Sequence, residues 1–267
     1  ILPSSDDNMY YLGLIAKKIV EVHYNIRSVD DRDHIIHKRY EPAGVLISDI
    51  FNTLFKKYMK NCIPALQKRP DIMIALMRSI NITQGINHCF STGNWGIHKN
   101  NYFRTGVSQV LSRLTYSATL SHFRRVVIPI GKEGKNTKIR QIHSSQFGYI
   151  CPSETPEGGA AGIVKNFSLL TEISNIIPST FIKHIILKFK YIQPLKTKRS
   201  YLILLNGLCI ARTTHPHKII EQFKIKRKQG IIHYTVSVSV SDIDKEVNIY
   251  SDDGRLLRPL FAVEQGK

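Results

Sequence analysis

The sequence predicts an α+β fold: a mainly helical first module carrying a basic β-hairpin, followed by a smaller α/β module. Three observations predict it. Apolar residues recur at three- and four-residue spacing through most of the first half of the chain. The period then changes at Val126-Val127-Ile128-Pro129-Ile130, a short apolar run with β-branched residues. Beyond about Ile177, brief apolar runs alternate with one helical stretch, and two of them meet at Asn206-Gly207, a strong hairpin signal.

Taken in order, Asn8 to Asn25 reads as an amphipathic helix through Met9, Leu12, Ile15, Ile19 and Val22. Asp30 to His34 is a charged connection. Val45 to Met59 is a second helix, with Leu46, Ile50, Leu54 and Phe55 on one face. Pro64 and Pro70 bracket a link before a third helical stretch, Ile72 to Ile86, and the turn Ser91 to Gly96 follows. Gly106 to Phe123 is helical by pattern. Val126 to Ile130, the turn Gly131 to Asn136 and Thr137 to Ile142 read as the basic hairpin. In the second module Tyr201 to Leu205 and Leu208 to Arg212 are strands and Pro216 to Lys228 a helix. Ile231 to Val240, Val247 to Tyr250 and Leu256 to Val263 are further strands. A boundary near 175–195 separates the modules, taken as 1–175 and 176–267.

The 267 residues are 42 % hydrophobic, enough to form a core and to exclude general disorder. No apolar run reaches the length of a membrane span, so no membrane partner is expected. No leader pattern opens the chain, so secretion is not expected. The first residue is Ile1, and the expectation is a piece of a longer polypeptide. Cys62, Cys89, Cys151 and Cys209 are widely spaced, which suggests neither zinc nor disulfides and favours a reduced compartment. The net charge of +18 lies in two blocks. Lys99 to His143 holds nine basic residues and one acid, net +8; Lys183 to Lys228 holds twelve and one, net +11. A polyanion is the natural partner of such a surface, against the plainer reading of a solvated or protein-binding face. For the second block the plainer reading is favoured.

The most unusual stretch runs from Arg140-Gln141-Ile142-His143 through Cys151-Pro152-Ser153-Glu154-Thr155-Pro156-Glu157-Gly158-Gly159 to Lys165-Asn166. Its glycines and prolines force sharp turns and exclude an ordinary helix or central strand. Such loops carry function on rigid scaffolds. Arg140, Gln141, His143, Lys165 and Asn166 offer donors, and Glu154 and Glu157 are acids expected to orient basic groups rather than act as general bases.

"CPSETPEGGAAGIVKN", preceded by "GVSQVLSRLTYSATLSHFRR" and "RQIHSSQFG", resembles the second-largest subunit of multisubunit DNA-directed RNA polymerases in its eukaryotic-type or viral form. The resemblance extends through "DDRDH", "KRYEPAGVL", "TGNWG" and "DDGRLLRPLFAVE", and so covers most of the chain. It implies a fork region over 1–175 and an external domain over 176–267. It also implies nucleotidyl transfer by two metal ions held mainly by aspartates of the largest subunit, so Mg2+ belongs to the assembled enzyme. No catalytic residue, metal ligand or cofactor is assigned to this stretch itself. Gly159 departs from the glutamine common in nuclear relatives, as does the composition of Ile97 to Arg104.

The resemblance further implies a role in positioning an A-form RNA–DNA hybrid through backbone and 2′-OH contacts. Gln109, Arg124 and Arg125 would lie along the hybrid near the transcript's 3′ end. Lys99 to Arg104 would match the first fork loop and Gly131 to Lys138, with Lys132, Lys135 and Lys138, the second. Arg140 and Lys165 complete the nucleic-acid set. Glu157 would sit beside the mobile loop of the largest subunit, and Lys165-Asn166 would hold the floor together. The expected partners are the largest and other polymerase subunits, DNA template and RNA transcript. The expected compartment is cytoplasm or virion for a viral source and nucleus for a cellular one. The alternative reading is a non-catalytic nucleic-acid-binding or assembly module.

Other features read plainly. Trp95 between glycines is a packing anchor rather than a base-stacking platform. His88, His98 and His122 lack metal spacing and read as surface or hydrogen-bonded residues. Gly131 to Thr137 lacks the spacing of a phosphate loop. Asp30 to Asp33 and Asp252-Asp253 read as solvated turns.

Overall fold

The computed structural model describes residues 5–68, 71–78, 82–95, 104–130, 137–195 and 200–261. In chain order the elements are α1 (Ser5–His23), α2 (Ala43–Lys68), α3 (Ile72–Arg78), α4 (Ile82–Thr92), α5 (Tyr116–Phe123), β1 (Arg125–Val127), α6 (Thr137–Arg140), β2 (Val164–Asn166) and β3 (Glu172–Ile173). They continue with α7 (Ser179–Ile186), β4 (Tyr201–Leu205), β5 (Leu208–Thr213), α8 (Pro216–Lys228), β6 (Ser237–Ser241), β7 (Glu246–Tyr250) and β8 (Leu256–Leu257). Helices and small sheets in separate blocks make the α+β class.

Two compact units result, one from residues 1–40 with 170–267 and one from 41–169. The first is built on a four-stranded sheet in the order β5-β4-β7-β6, with β4 parallel to β7 and the other pairs antiparallel. Both residues of the Asn206-Gly207 turn have positive φ, 50° and 84°, which matches the right-handed twist of the flanking strands. The register slips between Ile203 and Leu204, leaving Ile210 as the extra residue of a bulge. Amphipathic α7 and α8 bury Ile182, Ile186, Ile219 and Phe223 against Ile203, Leu205, Val247 and Ile249 of β4 and β7. Pro216 begins α8 where its missing N–H costs nothing.

The units meet in sequence at 169/170, and residues 1–40 pack with the later segment. Lys18 pairs with Glu246 at 3.4 Å and Arg27 with Asp244, while the Tyr40 N–H donates to the Gly254 carbonyl at 2.8 Å. Asp252 is therefore no solvated turn. Its carboxylate is half-buried between Arg39 at 2.7 Å and Arg255 at 2.9 Å. The expected strand over Ile231 to Val240 begins only at Ser237, and the last strand is the two-residue β8, paired with β3.

In the second unit α2 runs through Pro64 to Lys68, beyond its expected end at Met59. Proline removes one internal hydrogen bond but not the packing, and Cys62 beside it is buried. The expected third helix, Ile72 to Ile86, falls on α3 and α4, the latter running on to Thr92; residues 79–81 lie outside the described residues. The stretch 106–115 is irregular rather than helical: Thr115 caps α5 by accepting from the Ala118 N–H at 3.0 Å, so the helix starts at Tyr116. The basic hairpin is also corrected. β1 pairs antiparallel with β2, register Arg125↔Asn166 to Val127↔Val164, and Thr137–Arg140 is the helical turn α6. Pro129 cannot donate to a ladder, and α6 instead sets Arg140 against distant carbonyls. The turn 131–136 lies outside the described residues. Trp95 is buried, donates through Nε1 to the Cys89 carbonyl at 3.1 Å and packs edge-on to Phe90, as a packing anchor does.

Candidate nucleic-acid interface

Three segments of the second unit converge on one cleft: the irregular stretch before α5, the β1–β2 pair, and the Glu154-Thr155-Pro156-Glu157-Gly158 loop. The cleft has a volume of about 420 Å³ and is lined by Gln109, Arg125, Val127, Glu154, Thr155, Pro156, Val164 and Asn166. Arg125 sits on β1 directly across from Asn166 on β2. Asn166 is buried and its Nδ2 donates to the Ser121 hydroxyl at 2.7 Å; that hydroxyl in turn donates to the Glu154 carboxylate. These hydrogen bonds from Ser121 and Asn166, then the positive Arg125, hold Glu154 below the ordinary carboxylate range. The cleft thus presents a cation on a fixed strand beside an acid kept ionised.

Gln109 is placed by side-chain bonding rather than by helix. Its Nε2 donates to the Gly106 carbonyl at 2.9 Å, and its Oε1 lies 3.1 Å from His122 Nε2. The Ser112 N–H donates to His122 Nδ1 at 3.1 Å, and the buried Thr119 hydroxyl donates to the Ser112 carbonyl at 2.7 Å. Hydroxyls and amides that bond the backbone locally compete with helix, which is why the apolar period of 106–115 misleads.

The loop is closed at both ends by Thr155, whose Oγ1 donates to the Val164 carbonyl and accepts from the Gly162 N–H, both at 2.9 Å. From α6, Arg140 donates to the carbonyls of Gly159 and Ala161 at 2.7 and 2.8 Å. Gly162 has φ +71°, and a Cβ there would lie 2.4 Å from the Arg140 carbonyl oxygen. Only glycine permits that approach.

The structure brings Gln109, Arg125 and Asn166 together on the cleft. Arg124, beneath it, donates to the Ser168 carbonyl. Lys165 is buried with its ammonium 3.4 Å from Gln146 Oε1, and Arg140 is tied to loop carbonyls, so both brace the floor. Glu157 is exposed and makes no cap bond to the turn that follows it. Lys138 is exposed on α6. Arg104 pairs with Glu41, its second amino group at 3.1 Å, in the same unit. Lys132 and Lys135, like Lys99, lie outside the described residues. Ser121, His122, Gln146 and Thr155 were not singled out as site residues from the sequence. Only Thr155 carried a signal, as the hydroxyl inside the Glu154-Thr155-Pro156-Glu157-Gly158 loop.

Acidification tests the Glu154 arrangement. Its carboxyl is held below its unfolded value, so the stabilisation is complete at neutral pH. It is lost as pH falls through the folded value. Protection of the loop amides in hydrogen exchange should therefore decline at acid pH. Glu154→Gln, which still accepts from Ser121 but cannot ionise, should remove that acid limb; an unchanged pH profile in the variant would refute the assignment.

Two family models match the chain in order: "RNA polymerase Rpb2, domain 3" over residues 109–173, which contains the whole cleft, and "RNA polymerase Rpb2, domain 4" over 203–264. A probable DNA-directed RNA polymerase II subunit RPB2 homolog of Invertebrate iridescent virus 6 is 40 % identical over 251 residues, 89 % of this chain and 21 % of the relative. DNA-directed RNA polymerase II subunit 2 of Arabidopsis thaliana is 38 % identical over 271 residues, 97 % of this chain and 23 % of the relative. The RPB2 subunit of Meyerozyma guilliermondii is 37 % identical over 269 residues, 96 % of this chain and 22 % of the relative. The chain is thus of the multisubunit RNA polymerase class. Within that class it belongs with the Rpb2 family, the second-largest subunit, of which it carries domains 3 and 4. It spans between a fifth and a quarter of the length of the relatives it matches.

Proposed function

We propose that this chain acts within a DNA-directed RNA polymerase, where the Gln109–Arg125–Asn166 cleft holds the backbone of the RNA–DNA hybrid behind the point of nucleotide addition. The observation that carries the reading is Arg125: exposed, fixed in register on a short strand, and next to a neutral donor side chain. A surface that must accept every sequence needs cations and amides aimed at phosphate and ribose, with no base-edge readers. Glu154 tethers the loop and offsets part of the local positive charge, so the cleft can grip a moving strand without trapping it. Glu157, exposed at the loop's crest, faces the neighbourhood of the largest subunit in this reading and restrains its mobile loop.

The catalytic Mg2+ ions of the assembled enzyme have no fit here. Among the described residues no three His, Cys, Asp or Glu side chains cluster as a metal site requires; in this reading the ligands are held mainly by aspartates of the largest subunit. Other polymerase subunits are the proposed partners, and the apolar faces support this. Leu12, Ile15 and Ile19 of α1, Phe51 and Phe55 of α2, and Met73 and Met77 of α3 all remain exposed, a surface that calls for covering neighbours. The enzyme works in the nucleus if cellular and in cytoplasm or virion if viral.

The test is Arg125→Ala in the assembled polymerase. Elongation complexes should release transcript faster, and the slope of log stability against log salt should fall by about 0.7–0.9, the loss of roughly one phosphate contact. An unaltered slope would move Arg125 off the hybrid.

A further inference from the structure

We infer that His122 is a positioning residue: it fixes which end of the Gln109 side-chain amide meets the nucleic-acid backbone. This rests on the hybrid-holding reading of the cleft and adds to it the residue that sets the donor's orientation.

The hydrogen-bond chain decides the tautomer. The Ser112 backbone N–H donates to His122 Nδ1 at 3.1 Å, so that nitrogen carries no proton and the neutral ring carries it on Nε2. Nε2–H therefore donates to Gln109 Oε1 at 3.1 Å. With its oxygen held, the amide turns its nitrogen to the Gly106 carbonyl at 2.9 Å, which uses one of two Nε2 hydrogens. The second is left for an acceptor in the cleft that Gln109 lines. A reversed amide would set two donors against each other at His122 and two acceptors at Gly106, so the chain of bonds admits one orientation. That orientation offers a donor, suited to a phosphate or ribose oxygen. The ring is anchored in turn, because the buried Thr119 hydroxyl holds the Ser112 backbone against α5 at 2.7 Å.

Two near-isosteric substitutions separate the ring's functions. Asparagine at 122 can mimic the Nδ1 acceptor for Ser112 but does not reach Gln109. Glutamine at 122 extends an amide donor toward Gln109. In the assembled polymerase, Gln109→Ala should speed transcript release at fixed salt about fivefold, the loss of one hydrogen bond. His122→Asn should match it, His122→Gln should restore most of the wild-type hold, and Gln109→Ala with His122→Asn should be no worse than Gln109→Ala alone.

Outcomes differ by cause. If Gln109→Ala changes nothing, the hybrid reading of this side chain falls and the inference with it. If Gln109→Ala weakens the hold while His122→Asn does not, or if the two losses add, His122 does not act through Gln109 and the inference alone is overturned. Equal losses for His122→Asn and His122→Gln overturn it too, as does a cryo-microscopy map of the His122→Asn enzyme with the Gln109 amide unmoved.

Discussion

Gly162→Ala is expected to unseat the whole loop that walls the cleft. The residue has φ +71°, and the added methyl would meet the Arg140 carbonyl oxygen at 2.4 Å and its Cα at 2.8 Å. The first fault costs about 1–2 kcal/mol and the second about 1–3 kcal/mol, because the obstruction is backbone and cannot swing aside. Relief requires α6 to withdraw, which takes Arg140 from the Gly159 and Ala161 carbonyls. Gly162 also donates to Thr155, so the closing bond of the loop is lost in the same step. Hydrogen exchange in the assembled enzyme should show residues 155–164 losing protection while the sheet of the other unit keeps its own. Protection at the wild-type level would mean that α6 tolerates the displacement and that the close approach is incidental.

Phe223→Ala should produce the largest loss in the other unit. Phe223 is fully buried on α8, between the helix pair and the four-stranded sheet. Removing a buried aromatic ring costs about 3–5 kcal/mol, since the transfer energy is lost and the hole cannot fully close. Amides of β4 and β7 should exchange about a hundredfold faster or more, one factor of ten for each 1.36 kcal/mol. Lys224→Ala, one position along on the solvent side, should leave them unchanged. Equal effects from the two variants would show that α8 is not seated as described.

What could be read from the sequence was what is local. The apolar period of α1, the proline start of α8 and the Asn206-Gly207 turn each depend on neighbours a few residues away, and each is found where the pattern put it. The identity of the loop was legible for the same reason, since "CPSETPEGG" is contiguous. Pairings between distant segments were not. Nothing in Arg125–Val127 names Val164–Asn166 as its partner, and the nearer candidate, Thr137 to Ile142, has the right composition for a strand while folding as a helical turn. The 106–115 stretch shows the converse: its leucines and valines keep helical spacing, but the Ser108 and Thr115 hydroxyls bond backbone groups and the Ser112 N–H goes to the His122 ring rather than to a helical carbonyl. Cationic residues were the hardest to sort. Arg125, Arg140 and Lys165 look alike in a basic run, yet one lines the cleft, one grips carbonyls and one is buried on Gln146. Burial, which no spacing encodes, separates them.

The ion pairs of α1 have a consequence for how the polypeptide is made. Lys18 and Glu246 are 228 positions apart, so the first helix leaves the ribosome long before the strand that receives it exists. At roughly 5–20 residues per second that interval is on the order of ten to fifty seconds. Throughout it Lys18 stands without its carboxylate partner while the 41–169 unit is synthesised. Nascent chains stalled before Asp244 should therefore leave α1 open to protease, and chains from which β7 has emerged should protect it.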